Sequence, residues 1–195
     1  MRTPWGYDVE NLPPLLSTEQ FNSMTGGIYN NDVRAESALL AASQAVRNYC
    51  GWHICPSIGC KAYPTGGAKI TKLPAGYVSS ISSVSEEGNT LTSDQYEWRR
   101  DGLMRRSECE AWSPKWDAIE VQYTAGYNVE AVPDLAEAIR AITEGVLAVS
   151  AGVTSESADG VSISYSANAS SIAAALTTAQ KAALAAYKVV SSHAA

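Results

Sequence analysis

Four cysteines and two histidines are the residues here best suited to bind a metal or act as nucleophiles. Cys50, Cys55 and Cys60 stand at a C-x4-C-x4-C spacing with His53 between them, and Cys109 follows far downstream. A zinc site would use thiolates and an imidazole, but its ligands usually come in tighter C-x2-4-C pairs, and two such pairs are normally visible. The simpler expectation is that Cys50 is a small apolar residue on a helix face and that the other cysteines are reduced thiols in a loop. A Cys55–Cys60 disulfide is conceivable in an oxidising setting, though a cytosol disfavours it during folding. His53 is the single plausible general base, and it lies beside Trp52 at a helix exit. His193 sits near the chain end. No G-x-S-x-G elbow occurs. The run Pro64-Thr65-Gly66-Gly67-Ala68-Lys69 lacks the G-x4-G-K-[ST] spacing of a phosphate loop and reads as a turn before a strand. The acidic pair Glu86-Glu87 falls in a turn where solvation accounts for it. No nucleophile–base pair, cofactor motif or metal set emerges, so no enzymatic activity is expected.

One charged cluster remains. Arg99, Arg100, Arg105 and Arg106 flank Asp101-Gly102, a strong hairpin signal. If the hairpin forms, the four guanidiniums gather at its tip, either as a docking patch for an acidic partner or as a charged end that keeps a hairpin soluble. Asp94, Glu97, Asp101 and Glu108 are near enough in sequence to neutralise part of it. A small nucleic-acid-binding or regulatory module built on these arginines is the alternative function class. Charge distribution counts against it. The net charge is −6; through Arg106 ten acids balance ten bases, and the remainder holds ten acids and four bases. A nucleic-acid binder needs a basic footprint instead.

The elements that carry these residues are readable. Apolar residues make up 46% and charged residues only 17% of the 195, which fits a folded chain that buries part of its exterior against copies of itself or partners. No run of about 18 apolar residues predicts a membrane span, and Met1 to Gly6 has no signal-peptide character. Ser17 and Gln20 form a capping box for a short helix over about 18–24. Asn31 or Asp32 caps a longer one over about 32–50, with Ala35, Leu39, Ala42, Val46 and Tyr49 on one stripe and Gly51 after its end. From about 67 to 127 the pattern is β. Lys69–Leu73 alternates; Val78, Ile81 and Val84 are less regular; Tyr96, Trp98 and Arg100 share a face; Ile119, Val121 and Tyr123 alternate cleanly with polar residues. Pro133 starts a helix over about 133–151 with a stripe of Leu135, Ile139, Ile142, Val146 and Val149. A short hairpin is expected over about 153–166. A last helix runs over about 178–191 from a Thr177–Gln180 capping box, with Leu184, Tyr187 and Val190 as a thin stripe. The fold class is α+β: a small helical bundle with an inserted antiparallel β region and a second short hairpin, in a single domain over 1–195.

Three features in order carry a family likeness. The first is the strand Ile119–Tyr123, running through Gly126 into Val132-Pro133-Asp134-Leu135 and an apolar helix. The second is the helix exit Val46-Arg47-Asn48-Tyr49-Cys50-Gly51-Trp52-His53-Ile54 with Pro56. The third is the succession of β segments between Lys69 and Leu103, similar to the β insert of adaptors from actinobacterial and other Gram-positive phages. Together they resemble the head–tail adaptor (connector) proteins of long-tailed double-stranded DNA bacteriophages. The resemblance implies a virion protein at the neck, assembled in the host bacterial cytoplasm. It implies a homo-oligomeric ring, usually twelve-fold, beneath the portal protein, which extends the DNA channel and meets a head-closure (stopper) or tail-completion protein. It implies no cofactor. C-terminal segments of such proteins help grip the portal, so Leu184, Tyr187 and Lys188 are candidate contacts. Twelve copies would carry about −72, which lets DNA pass without being gripped.

Overall fold

Alternation along Ile119–Ala125 dictates the centre of the fold. Ile119, Val121, Tyr123 and Ala125 are buried while Gln122 is exposed, so this strand has one face for a core and one for water. A computed structural model of the chain describes residues 1–108, 110–150, 155–158, 161–164 and 176–189, of which 149–150, 155–158 and 161–164 are described by their backbone. Cys109, Gly152, Tyr165, Val190 and His193 lie outside the described residues. Two compact units emerge. The first holds residues 1–12, 50–128 and the segment from Tyr187 on; the second holds 13–49 and 129–186.

The first unit contains β1 (Tyr7–Val9), β2 (Ile58–Ala62), β3 (Ile70–Lys72), β4 (Val78–Glu86), β5 (Asn89–Leu91), β6 (Tyr96–Trp98), β7 (Leu103–Arg106) and β8 (Ile119–Ala125). Five of these form an antiparallel sheet in the order β1-β2-β8-β4-β5, and three form a second sheet, β3-β7-β6. The main register stacks one apolar face: Tyr7 opposes Ala62, Val9 opposes Cys60, Cys60 opposes Tyr123 and Ala62 opposes Val121. All six are buried. Val78, Ile81 and Val84 explain their own irregular spacing. β4 shifts register between Val78 and Ser80 and again between Ile81 and Ser83. Each bulge absorbs one residue, so a step of three acts as a step of two. The three side chains thereby oppose Ala125, Tyr123 and Val121 on one face.

The β region begins earlier than the 67–127 read from sequence. β2 lies in what was expected to be a cysteine loop, and β1 lies ahead of the first expected helix, where no strand was read. Cys60 is a strand residue, because Cys60 and Ala62 alternate with Gly59 and Lys61 in a segment too short and too small-residued to announce itself.

The second unit contains α1 (Thr18–Met24), α2 (Ala35–Cys50, its last residue in the first unit), α3 (Pro133–Ser150), the antiparallel hairpin β9 (Ser155–Ala158) and β10 (Val161–Ser164), and α4 (Thr178–Leu184). The expected capping boxes are present: the Gln20 and Gln180 N–H groups donate to Ser17 Oγ and Thr177 Oγ1, and each glutamine side chain accepts from its cap's N–H. α2 starts at Ala35 and not at Asp32, because Asp32 is spent on a turn, accepting from the Arg34 N–H at 2.9 Å and pairing with its guanidinium at 2.6 Å. Ala35, Leu39, Ala42 and Val46 are buried as expected. On α3 Leu135, Ile139 and Ile142 are buried, but the next buried apolar position is Leu147 and not Val146, the drift of a 3.6-residue turn against a strict four-three stepping; the Val149 side chain lies outside those described. α4 ends at Leu184, and a 3-10 turn over Ala185–Tyr187 replaces the helix expected to continue to 191. Within this unit Arg47 donates to the Pro13 carbonyl at 2.7 Å and the Leu15 N–H donates to Ser43 Oγ at 2.8 Å, fastening the proline-rich segment to α2. The fold is mixed α+β; contacts between helices are shared by α3 and α4 more than by a regular bundle.

Candidate functional site

His53 is fully buried in the first unit, and its surroundings decide its chemistry. Its Nε2 lies 3.0 Å from the Ala125 carbonyl, which can only accept, so Nε2 carries the proton. Nδ1 then accepts from the Tyr7 hydroxyl at 2.8 Å, and the same hydroxyl accepts from the His53 backbone N–H at 2.9 Å. Buried, with both ring nitrogens and its backbone N–H engaged, the imidazole is consumed by structure. Gly126 makes this arrangement possible. It has φ +104, and a Cβ there would sit 2.3 Å from the Pro56 carbonyl oxygen and 2.7 Å from His53 Nε2.

Cys50, Cys55 and Cys60 are buried free thiols. Burial pushes Cys50 and Cys60 up to about 12, so both stay protonated. Among the described residues no group of three or more His, Cys, Asp or Glu side chains converges as metal ligands. Cys50, His53, Cys55 and Cys60 are packed in the core, where His53 and Cys60 also make hydrogen bonds.

The arginine hairpin forms, with Glu97 opposite Arg105 and Trp98 opposite Met104, but it does not bring four free cations together. Alternation sends Arg105 and Arg106 to opposite faces. Arg106 turns inward: it pairs with Glu86 at 2.5 Å, with both side chains mostly buried, and lies 5.8 Å from the Trp112 ring centroid. Arg105 pairs with Glu97 at 2.6 Å and Arg99 with Asp101 at 3.2 Å. Arg100 rests over the Tyr77 ring at 6.0 Å. Glu97 and Asp101 neutralise the hairpin as expected; Glu86 was missed because 20 residues separate it from Arg106 and no local pattern links them.

The C-terminal candidates separate as well. Leu184 is fully buried in the second unit, so its side chain serves packing there. Tyr187 belongs to the first unit, where its carbonyl accepts from Trp52 Nε1 at 2.6 Å and its ring lies edge-on to Tyr127 at 6.0 Å. Lys188 is exposed. The Val189 N–H donates to the Cys50 carbonyl at 2.9 Å, closing this segment onto the helix exit. That is the job of the Gly-Trp-His-Ile exit: Trp52 holds the chain end, and His53 holds the sheet.

The turn before β3 is also explained. A Cβ on Gly66 would lie 1.9 Å from the Ser113 carbonyl oxygen, and the Gly67 N–H donates to the Trp112 carbonyl at 3.0 Å. The glycine pair docks one loop against another.

No family model matches the chain, and no curated protein does. Solved structures do. The chain aligns with one from the neck of a native GTA (gene transfer agent) particle computed with C12 symmetry, at TM-score 0.62 and 17% identity, covering 94% of this chain and 95% of that one. It aligns equally with one from the neck of an empty GTA particle computed with C6 symmetry, at TM-score 0.62 and 15% identity, with the same coverage. The fold is thus shared with these neck chains over nearly the whole of both chains. Among the described residues no helix is long and apolar enough to cross a membrane.

Proposed function

We propose that this chain is a structural protein of the neck of a tailed phage or phage-like particle, working as one subunit of a homo-oligomeric ring that joins head to tail. The observation that carries the reading is the end-to-end match to neck chains, 94% of one against 95% of the other. A partial match would leave room for an added domain with its own activity; this one accounts for both units. The role is geometric and non-enzymatic, in keeping with an imidazole and thiols committed to the core.

The finer reading is a ring of twelve, seated under the portal and continuing the DNA channel, with a head-closure or tail-completion protein on its other side. The exposed Lys188 and the adjoining Tyr187 are the portal-facing candidates, and acidic residues after Arg106 line the lumen. The charge supports passage without binding: the balance is −6 per copy, and on the hairpin Arg99, Arg105 and Arg106 are each paired to a carboxylate. Deletion of this chain from a producing strain should yield filled heads and separate tails. Complete particles in normal number after the deletion would overturn the reading.

A further inference from the structure

β4 carries two residues more than its partner strand has places for. Val78, Ser80, Ile81, Ser83 and Val84 oppose Ala125, Thr124, Tyr123, Gln122 and Val121 one for one, and the extra residues are Ser79 and Ser82. Each is tied down across the strands: Ser79 Oγ donates to the Thr124 carbonyl at 3.2 Å and Ser82 Oγ to the Gln122 carbonyl at 2.9 Å. A bulge disrupts the ladder locally, and here a hydroxyl on each extra residue supplies a bond across it. Both bulges are therefore held in place.

Their position gives them a use. At one end of β4 the Val78 N–H donates outward to the Arg100 carbonyl at 2.8 Å. At the other, Val84, Ser85 and Glu86 pair with β5. Between these ends, among the described residues, 79–83 meet no further main chain on the outer side of the sheet. An open hollow lies there between Ser79 and residues 98–101, and Ser79, Ser80 and Ser82 are exposed. Unpaired N–H and carbonyl groups in a row are a template for another strand. Residues 78–85 hold no charge and no proline, and Val78, Ile81 and Val84 are β-branched, a composition that favours pairing between chains.

The rest of this sheet is protected by other means. On the β1 side the chain covers itself: the Val9 N–H donates to the Met1 carbonyl at 2.9 Å and the Thr3 N–H to the Tyr7 carbonyl at 2.8 Å. β5 is only three residues long. Bulging blunts β4, because it twists the strand out of the regular ladder that a second strand needs.

We propose that Ser79 and Ser82 guard against self-pairing: they keep β4 from joining edge to edge with β4 of a second copy. Such a contact is two-fold and would compete with the head-to-tail contacts that a ring requires. The guard follows from the sheet alone and holds whether or not the chain sits in a neck.

Deletion of both serines from the full chain tests it. What remains, Val78-Ser80-Ile81-Ser83-Val84, keeps every opposing partner and alternates strictly. The shortened chain should fold, with its β signal in circular dichroism unchanged, and in sedimentation should self-associate beyond wild type at equal concentration. Adding Ser80→Lys to the deletion should return sedimentation to that of wild type, because like charges on facing edges repel. A shortened chain that sediments as wild type does would overturn the proposal. So would loss of its β signal, since the serines would then not be surplus, and so would association that Ser80→Lys leaves unchanged.

Discussion

Tyr7 and His53 show how a residue that looks reactive becomes structural. The Tyr7 hydroxyl receives the His53 N–H and gives its own proton to Nδ1. Tyr7→Phe removes both partners at once and leaves a buried N–H and a buried ring nitrogen without a mate. It should cost about 2 kcal/mol in chemical denaturation, where an unchanged midpoint would contradict the account. Gly126 carries a larger load, because left-handed strain and a backbone clash coincide. Gly126→Ala should cost about 3 kcal/mol. Gly88→Ala, at φ +82 with nothing within 4 Å of the added carbon, should cost only about 1–2 kcal/mol. The thiols give a chemical readout. With Cys50 and Cys60 raised to about 12 by burial, a thiol reagent near pH 8 should label them only after unfolding. Both contribute stability in full below the free-thiol value near 9, and that contribution is lost as pH rises toward 12. Labelling of the native protein at the rate of free cysteine would show that they are not packed as described.

At the scale of elements, the β6–β7 hairpin separates two kinds of ion pair. The Arg106–Glu86 pair lies mostly out of water beneath Trp112, so Arg106→Ala should cost about 2–3 kcal/mol by stranding a carboxylate. Arg105, half-exposed with Glu97, should change stability by under about 1 kcal/mol when truncated. Equal effects measured by thermal unfolding would contradict this division. Surface pairs act on acid stability in one direction. Arg34 holds Asp32 below its usual range, Lys115 and Ser113 do so for Glu87, Lys61 for Glu120 and Arg140 for Glu137. Their contribution is complete above the ordinary carboxylate values and fades as pH falls through the lowered ones. Capping boxes, the α2 stripe and β8 were legible because their signals are local: a glutamine three residues after a serine, or a strict period. β1, β2 and the bulges of β4 were not. Their pairing is decided by partners far along the chain, and Ile58-Gly59-Cys60-Lys61-Ala62 has little local β signal. The candidate site was partly legible for the same reason. Asp101 sits beside its arginine, whereas Glu86 and the Trp52–Tyr187 bond join residues 20 and 135 apart. Trp52→Phe should loosen the chain end by about 1 kcal/mol, read as faster amide exchange at Val189.

For the whole molecule, function follows from what is committed and what is left open. The imidazole and the three described thiols are buried. Three of the four hairpin arginines are paired with acids and the fourth rests on a tyrosine. Among the described residues Trp116 stays exposed, and the charge balance is acidic. On the function proposed above, such a part fits against other parts and lets polyanion slide past. A gel shift with duplex DNA near physiological salt should therefore show no stable complex, and a tight salt-resistant complex would favour a nucleic-acid module instead. The most direct test of the central claim is electron microscopy of purified particles bearing a visible label on this chain. The geometric account predicts a ring of label at the collar between head and tail. Label on the shell, along the tail or nowhere in the particle would contradict it.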